Sequence, residues 1–347
     1  MKRFYRLFLV TAAAASLTAC SDKVSSSTSE PEKNVTPDSI TYSWQAPYEA
    51  KIKEFKSSDT YSDNSCFDLY DLTDDGSPEL IISPNGDATT KCLIYTLEGE
   101  VISELGEFGN NGTFSFCPDT KVIKDEYVGS GMVLGKIYSL TSGPLKTVMT
   151  YSDNSASASM GAAIYHEVNG ENLSLSDYEK ALEPYSALNT TEIGRRFTMG
   201  DKAVNYGIYI SENWAKTLTS NQKKLFKDKL TAESALDTAE GRNGAFDFCD
   251  LNGDNVPELI ISSNTAPEST CKVYYFSAGQ LVEMEGEYGI NGTFGFDVEN
   301  LVFFSDKKYW SIANTEFKAN EYTESDSTII TGRKYPLSES GISAVLD

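Results

Sequence analysis

The chain has 347 residues and is strongly acidic, with 51 Asp and Glu against 29 Lys and Arg and a formal charge of −22. Such a surface repels phosphate backbones and anionic lipid headgroups, which argues against nucleic-acid binding and against polybasic membrane docking. Hydrophobic residues make up 40 %, enough for a core, and the length is typical of about two domains. His166 is the one histidine, so most histidine-based metal sites and catalytic triads are excluded.

The first 19 residues have the layout of a secretory signal peptide. Basic residues precede an apolar run that is too short to span a bilayer. The next feature, Leu17-Thr18-Ala19-Cys20, resembles the lipobox of bacterial lipoproteins. This resemblance implies cleavage before Cys20 and acylation of its thiol and new amino terminus. The mature chain would then carry 26 basic and 51 acidic residues, a net charge of −25. A plain signal peptide with a chance cysteine is the alternative.

Residues 20–40 are predicted to be the acylated cysteine and a disordered tether, because they are polar, rich in Ser and Thr and poor in apolar residues. Several acyl chains, each contributing about 0.8 kcal/mol per buried CH₂, hold a protein without a membrane-spanning helix. We therefore expect an extracytoplasmic protein that is lipid-anchored to the bacterial membrane or cell surface.

An internal repeat organises the rest of the chain. Residues 67–83 recur as residues 246–262, with eleven of seventeen positions identical. Residues 106–116 recur as residues 286–296, with eight of eleven identical. Self-similarity at so constant an offset predicts two homologous units. We place them at residues 41–200 and 201–347.

Each unit begins with apolar residues at helical spacing, such as Tyr48, Ile52 and Phe55 in the first. Short β-rich runs follow, and they predict strands at residues 67–70, 80–82, 93–97 and 101–105, then at 246–249, 259–261, 273–276 and 281–284. Runs this close together favour antiparallel meanders over parallel crossovers. The predicted fold class is therefore α+β, with two tandem units, each a mainly antiparallel β-meander with flanking helices.

The later part of the first unit carries two further signals. Asn169-Gly170 predicts a two-residue hairpin. A capping box at Ser176 predicts a helix that Pro184 limits. The second unit has no equivalent of these residues and therefore looks truncated, unless residues 164–185 form a bridge between the units.

Two acidic segments, residues 71–79 (DLTDDGSPE) and residues 250–258 (DLNGDNVPE), carry oxygen-bearing side chains at the same spacing. Hard cations such as Ca²⁺ need six to eight oxygen ligands. Side chains at positions 1, 3 and 5 of a tightly curled loop can converge, and a carbonyl at 7 and a carboxylate at 9 can complete the shell. Position 6 needs positive φ, which suits Gly76 and is tolerated by Asn255.

These segments resemble the nine-residue calcium loops of FG-GAP and VCBS-like propeller-blade repeats. The resemblance implies the ligands Asp71, Thr73, Asp75 and Glu79, and Asp250, Asn252, Asp254 and Glu258. Thr73 and Asn255 depart from the family pattern, so we expect weak sites suited to millimolar Ca²⁺. The alternative is a pair of metal-free turns held by Asx hydrogen bonds. Two loops are too few for a closed propeller.

A second resemblance covers residues 67–82, 246–261 and 168–181. These are similar to segments of surface lipoproteins from anaerobic bacteria, a family whose biochemical role is generally unassigned. The resemblance implies a surface lipoprotein and no particular activity.

Beyond Cys20 the chain has five cysteines and no CxxC spacing, so zinc and redox motifs are not predicted. In a meander, Cys66 and Cys92 would lie at the same edge of the sheet, and they are the best candidates for a disulfide. Five buried free thiols are the alternative.

Catalytic motifs are not found. Ser220 and Lys223 match S-x-x-K without the companion motifs of penicillin-binding enzymes, so Ser220 is interpreted as a helix cap, and His166 as surface decoration. We therefore expect a non-enzymatic, calcium-binding surface module for an extracellular ligand, either a polysaccharide or a protein. The N-G-T-F segments could supply an aromatic platform for sugars. The alternative function is an Asp/Glu-dependent hydrolase of cell-wall or dietary glycans, for which a cleft with two carboxylates away from the loops would be needed. A purely structural spacer is a third possibility.

Overall fold

The computed structural model describes residues 36–87, 89–140, 145–160, 163–186, 188, 190–263, 268–305, 308–311, 316–317 and 325–347. The predicted signal peptide, Cys20 and most of the predicted tether lie outside these residues. The described residues belong to one structural unit, Asn34–Asp347. Within them, no helix combines the length and apolar character needed to cross a membrane.

The first half opens with a one-turn 3₁₀ helix, Pro37–Ser39, and a helix followed by four strands. These are α1 (Gln45–Lys56), β1 (Cys66–Tyr70), β2 (Glu79–Ser83), β3 (Cys92–Glu98) and β4 (Val101–Phe108). Each strand pairs antiparallel with the next, which confirms the predicted meander. Every residue of β1 and β2 is buried, because α1 covers one face of the sheet and a second sheet covers the other.

The second sheet comes next in the chain. Its strands are β5 (Phe114–Cys117), β6 (Val122–Gly129), β7 (Met132–Ser139), β8 (Lys146–Asp153), β9 (His166–Val168) and β10 (Glu171–Asn172). A 3₁₀ segment, Ser155–Met160, lies between β8 and β9. The hairpin at Asn169-Gly170 is confirmed, with positive φ at both residues.

A helix, α2 (Leu175–Ser186), follows the hairpin and includes Pro184. The predicted cap at Ser176 is wrong, because the Ser174 hydroxyl accepts the Asp177 N–H at 3.2 Å. The chain then forms β11 (Thr191–Ile193), β12 (Phe197–Thr198) and α3 (Asp201–Tyr209). β11 pairs with β5 and β12 with β1, while α3 packs against α1, β1 and β12.

The second half repeats this order of elements. It begins with α4 (Trp214–Thr217), α5 (Ser220–Glu240), β13 (Ala245–Cys249), β14 (Glu258–Ser262), β15 (Cys271–Ser277) and β16 (Gln280–Glu283). The predicted meander is again confirmed. The cap of α5 is Thr219 rather than Ser220, because the Thr219 hydroxyl accepts the Gln222 N–H in a capping box.

The chain ends with six strands and a helix. These are β17 (Phe294–Asp297), β18 (Val302–Ser305), β19 (Lys308–Trp310), β20 (Glu316–Phe317), β21 (Thr328–Thr331), β22 (Tyr335–Pro336) and α6 (Glu339–Leu346). β22 pairs with β13, and α6 packs against α5. The meander sheets therefore have matching orders, β12-β1-β2-β3-β4 and β22-β13-β14-β15-β16.

One strand pairing joins the two halves. β12 pairs with β21 through Phe197 and Ile329, which merges the first meander with β17–β21 into a ten-stranded sheet. All strand pairs of the described residues are antiparallel, and their sheets close into neither a barrel nor a propeller. The fold is therefore α+β with mostly antiparallel sheets and few helices, and one apolar cluster extends through both halves.

Candidate functional site

The first acidic loop, residues 71–79 (loop 1), connects β1 to β2. Its first carboxylate holds the turn together: Asp71 accepts the backbone N–H groups of Asp74 at 2.6 Å, Asp75 at 3.2 Å and Gly76 at 3.0 Å. Gly76 has φ of 86°, as expected for position 6. The loop conformation is therefore built from Asx hydrogen bonds to one side chain.

The second acidic loop, residues 250–258 (loop 2), connects β13 to β14 and repeats this pattern. Asp250 accepts the backbone N–H groups of Gly253 at 2.7 Å, Asp254 at 3.2 Å and Asn255 at 2.9 Å. Asn255 has φ of 64°, so it adopts the left-handed conformation in place of glycine. The same spacing thus produces the same local structure twice.

The glutamate at position 9 of each loop is buried at the start of the following strand. Glu79 accepts the Leu72 N–H at 2.7 Å, and Glu258 accepts the Leu251 N–H at 2.7 Å. Burial, together with the negative charge of the aspartates at positions 1 and 5 of each loop, raises the pKa of Glu79 to about 7 and that of Glu258 to about 8. Among the described residues, neither glutamate has a cationic partner, and each lies close to two aspartates of its own loop.

The oxygen donors of the loops are of the kind that Ca²⁺ prefers. The predicted ligands do lie together in each loop, but several of their oxygens face N–H groups. Thr73 donates its hydroxyl to Glu79 at 3.3 Å, and Asn252 donates its amide to Glu258 at 3.0 Å. In the described part of the chain, no cluster of three or more His, Cys, Asp or Glu side chains has a geometry that could hold a metal ion. The donor chemistry fits the ion, while its coordination would require side-chain rotation within the loops.

A cleft with a volume of about 300 Å³ lies beside loop 1, and we call it the aromatic cleft. Loop 1 contributes Asp71, Asp74, Gly76 and Pro78 to its lining. The aromatic residues that line it come from distant parts of the sequence, and they are Tyr42, Trp44, Tyr70 and Tyr335. Loop 1 therefore lies next to aromatic side chains that line the same cleft.

Two contacts order one wall of the aromatic cleft. The Tyr42 and Trp44 rings stack with their centroids 5.7 Å apart and an interplanar angle of 11°. The Lys216 Nζ lies 4.3 Å from the Tyr42 ring centroid, a cation–π contact. Trp44 is buried while Tyr42 is half-buried, so Tyr42 is the ring that a ligand can reach.

The acidic side chains of the aromatic cleft are already engaged. Asp71 accepts three backbone N–H groups, and Asp74 forms an ion pair with Lys121 at 3.2 Å. Glu212 forms an ion pair with the buried Lys334. None of these carboxylates is a free acid–base pair of the kind that glycoside hydrolysis requires.

A buried charge cluster lies between the two halves, and we call it the central cluster. Arg196 Nη2 donates to Asp247 Oδ1 at 2.7 Å, so a side chain of the first half pairs with one of the second. Asp68 accepts the Gly194 N–H at 3.0 Å, and Asp247 accepts the Gly332 N–H at 3.3 Å. All of these side chains are buried.

The central cluster was missed in the sequence analysis. It rests on a third recurrence, in which GRRF at residues 194–197 returns as GRKY at residues 332–335. This motif is short and recurs at an offset of 138 instead of about 180, because the second half has no described counterpart of β9, β10 and α2. A search of the last twenty residues for short motifs would have found it.

The predicted disulfide between Cys66 and Cys92 is wrong. β2 lies between β1 and β3, so the two cysteines are separated by two strand spacings, about 9.5 Å. A disulfide needs Cα atoms about 4.4–6.8 Å apart. The five described cysteines are buried free thiols, which was the alternative.

Two further interpretations are corrected by burial. His166 is not surface decoration, because it packs against the Tyr178 ring at 5.3 Å between β9 and α2. The phenylalanines of the two N-G-T-F segments, Phe114 and Phe294, are buried in the core. They therefore cannot form an exposed platform for sugars.

Comparison of the chain with protein-family models, with curated proteins and with solved structures finds no match. The function must therefore be argued from the residues themselves.

Proposed function

We propose that this protein is a lipid-anchored, extracytoplasmic binding protein without enzymatic activity, which takes an extracellular ligand in the aromatic cleft. The observation that carries the proposal is the position of loop 1 on a cleft lined by four aromatic residues. Ligand pockets typically combine such apolar walls with a few polar groups that fix orientation, and they start at about 300 Å³. The cleft meets both conditions.

We favour a polysaccharide over a protein as the ligand. The cleft has a volume of about 300 Å³, and its lining combines aromatic rings with charged groups such as Asp71, Lys121 and Lys216. An aromatic ring offers an apolar face to the C–H groups of a sugar, while carboxylates and ammonium groups can bond its hydroxyls. A protein partner would need a larger surface, of about 800 Å² on each side.

The same cleft gives less support to the hydrolase alternative. A glycosidase needs one carboxyl group that donates a proton and a second that attacks or activates water. Here Asp71 holds the turn of loop 1 and Glu212 neutralises the buried Lys334. Rotating either away would leave backbone N–H groups or a buried ammonium group without a partner.

We also infer that the halves arose by duplication and that both loops bind Ca²⁺ weakly. The matching sheet orders and the matching hydrogen bonds of Asp71 and Asp250 support the duplication. α3 packs with α1, β1 and β12, which supports a division between the halves after Tyr209, close to the predicted division at residue 200. In loop 1, Ca²⁺ would supply a positive charge beside the Glu79 carboxylate. It would also make the rim of the aromatic cleft more rigid.

The test is a titration of the mature protein with soluble oligosaccharides from bacterial cell wall and from plant polysaccharides. Binding is monitored by tryptophan fluorescence. We expect a change of emission from Trp44 in the cleft, and a loss of affinity of at least tenfold in Tyr42→Ala. Tyr165→Ala, outside the cleft, is the matched control and should bind like the parent protein. Release of shortened oligosaccharides during the titration would instead support the hydrolase, and equal binding by both variants would exclude the cleft.

A further inference from the structure

A second cavity, with a volume of about 80 Å³, lies in the central cluster where the two halves meet, and we call it the central cavity. The recurrent GRRF and GRKY motifs supply four cationic side chains to its lining, Arg195, Arg196, Arg333 and Lys334. It is distinct from the aromatic cleft, although Tyr70 and Lys334 line both.

Arg196 has hydrogen-bonding capacity that the protein leaves unused. Its side chain is buried, and its Nη2 donates to Asp247, but its Nε and Nη1 have no hydrogen-bond partner in the part of the chain that the structure describes. Nη1 lies 4.0 Å from the Glu212 carboxylate, beyond hydrogen-bond distance. Leaving buried donors of a charged group unpaired is unfavourable, so such donors suggest an acceptor that the protein itself does not supply.

Arg333 lines the same cavity from the other half. It is half-buried, and its guanidinium makes no hydrogen bond or ion pair with any residue that the structure describes. Burial lowers the pKa of Arg333. Two guanidinium groups from the two copies of the motif, at adjacent motif positions, therefore border one small cavity.

The acidic residues around the central cavity are already held by protein groups. Asp247 accepts hydrogen bonds from Arg196, Thr331 and Gly332, and Asp68 accepts the N–H groups of Leu69 and Gly194. Glu212, beside the cavity, forms an ion pair with Lys334. Among the residues that the structure describes, these carboxylates leave the Nε and Nη1 donors of Arg196 without a hydrogen-bond acceptor.

We propose that the central cavity is a binding site for a small oxyanion, a carboxylate or a phosphate group, held by Arg196 and Arg333. Guanidinium N–H groups form a rigid fork that matches both kinds of group in a bidentate manner. A volume of about 80 Å³ is several times what one water molecule needs, which leaves room for a group of a few heavy atoms. Because the two arginines belong to different halves, the anion crosslinks them and stabilises the whole fold.

The test uses the mature protein, with sodium phosphate and sodium acetate as probes at an ionic strength held constant with NaCl. Calorimetry and thermal unfolding should show saturable binding and a higher Tm with at least one of the two anions. Phosphate binding alone identifies a phosphate site, and acetate binding alone identifies a carboxylate site. No heat and no rise in Tm with 20 mM of either anion would overturn the proposal.

Arg333→Gln is the informative variant, because its side chain makes no described bond that folding depends on. We expect it to keep the circular dichroism spectrum of the parent protein and to lose anion affinity by at least tenfold. Lys216→Gln, which removes a cation from the aromatic cleft only, is the matched control and should bind the anion like the parent. Equal anion binding by Arg333→Gln and the parent would place the anion elsewhere and refute the site.

Discussion

At the scale of single residues, the buried glutamates of the two loops are the most consequential side chains. Glu258 has a pKa of about 8, chiefly because burial disfavours its charged form. In the unfolded chain a glutamate titrates near 4.3. Between these values the folded protein binds a proton that the unfolded chain has lost, so the free energy of unfolding falls as pH rises.

Replacing this group should remove that pH dependence. In EDTA, we expect the Tm of the parent protein to fall between pH 5.5 and pH 8 more steeply than that of Glu258→Gln, which cannot ionise. A tenfold difference in proton affinity corresponds to about 1.4 kcal/mol, so the effect is measurable by calorimetry. Glu287→Gln, at an exposed position, is the control. Parallel curves for Glu258→Gln and the parent protein would show that Glu258 is ionised in the folded state.

The sequence indicated Glu79 and Glu258 as candidate Ca²⁺ ligands through their position in the loops. It did not predict that both side chains are buried. Both begin strands, and burial of a strand end depends on what packs against it. The same reason explains His166, whose neighbour Tyr178 comes from a helix that starts after the next hairpin. The residue types therefore predicted the chemistry of these side chains, but their burial depends on how helices and strands pack around them.

At the scale of elements, the loops can be tested for the ion that their donors fit. We expect 5 mM CaCl₂ to raise the Tm of the protein relative to EDTA. At a free calcium concentration ten times the Kd, the stabilisation is about 1.4 kcal/mol, or about 2–4 °C for a protein of this size. Asp254→Asn should reduce the shift, because it removes one charge from loop 2.

A gain of affinity is the stronger test of loop 1. Thr73→Asp restores the charge that the FG-GAP pattern has at position 3, so it should lower the Kd for Ca²⁺ in calorimetry. Thr60→Asp, at an exposed position before β1, adds the same negative charge outside the loop and is the control. The absence of both heat and a Tm shift at 5 mM Ca²⁺ would mean that the loops are Asx turns only.

The strands of the two meanders and their order were well predicted because the meanders depend on short connections, whereas β6–β8 and β18–β21 were not predicted. β1–β4 and β13–β16 each pair with the next strand along the chain, and alternating apolar residues with tight turns mark their positions. The strands β12 and β22 were not predicted. Each is two residues long and pairs with a strand more than 80 residues earlier, and so short a segment has no periodicity to detect.

The disulfide prediction shows the limit of reasoning from elements. The two cysteines were correctly predicted to lie at the same end of the sheet, where β1 and β3 both begin, but β2 separates these strands. Because neighbouring strands are about 4.8 Å apart, two side chains at the same end of non-neighbouring strands remain too far apart to bond.

At the scale of the whole molecule, the predicted lipid anchor would hold the proposed binding site at the membrane surface. Cys20 lies outside the described residues, and its acylation stays a prediction. Cys20→Ser should move the protein from the membrane fraction to the soluble fraction after cell lysis, because no acyl chain can then be attached. Ser26→Ala, in the predicted tether, should leave the protein in the membrane fraction. Membrane association of Cys20→Ser in high salt would refute the lipid anchor.

The sequence by itself determined the acidic character, the two copies of one β-meander, the α+β class and the conformation of the acidic loops. All of these follow from patterns within a few residues or from comparison of the chain with itself. The aromatic cleft and the central cavity were decided only by the tertiary structure. They join Tyr42 to Tyr335 and Arg196 to Asp247, residues that are distant in the chain and meet because α1, β12 and β22 pack around the same core. Local periodicity carries no information about such long-range contacts, since they depend on how the sheets and helices pack against one another.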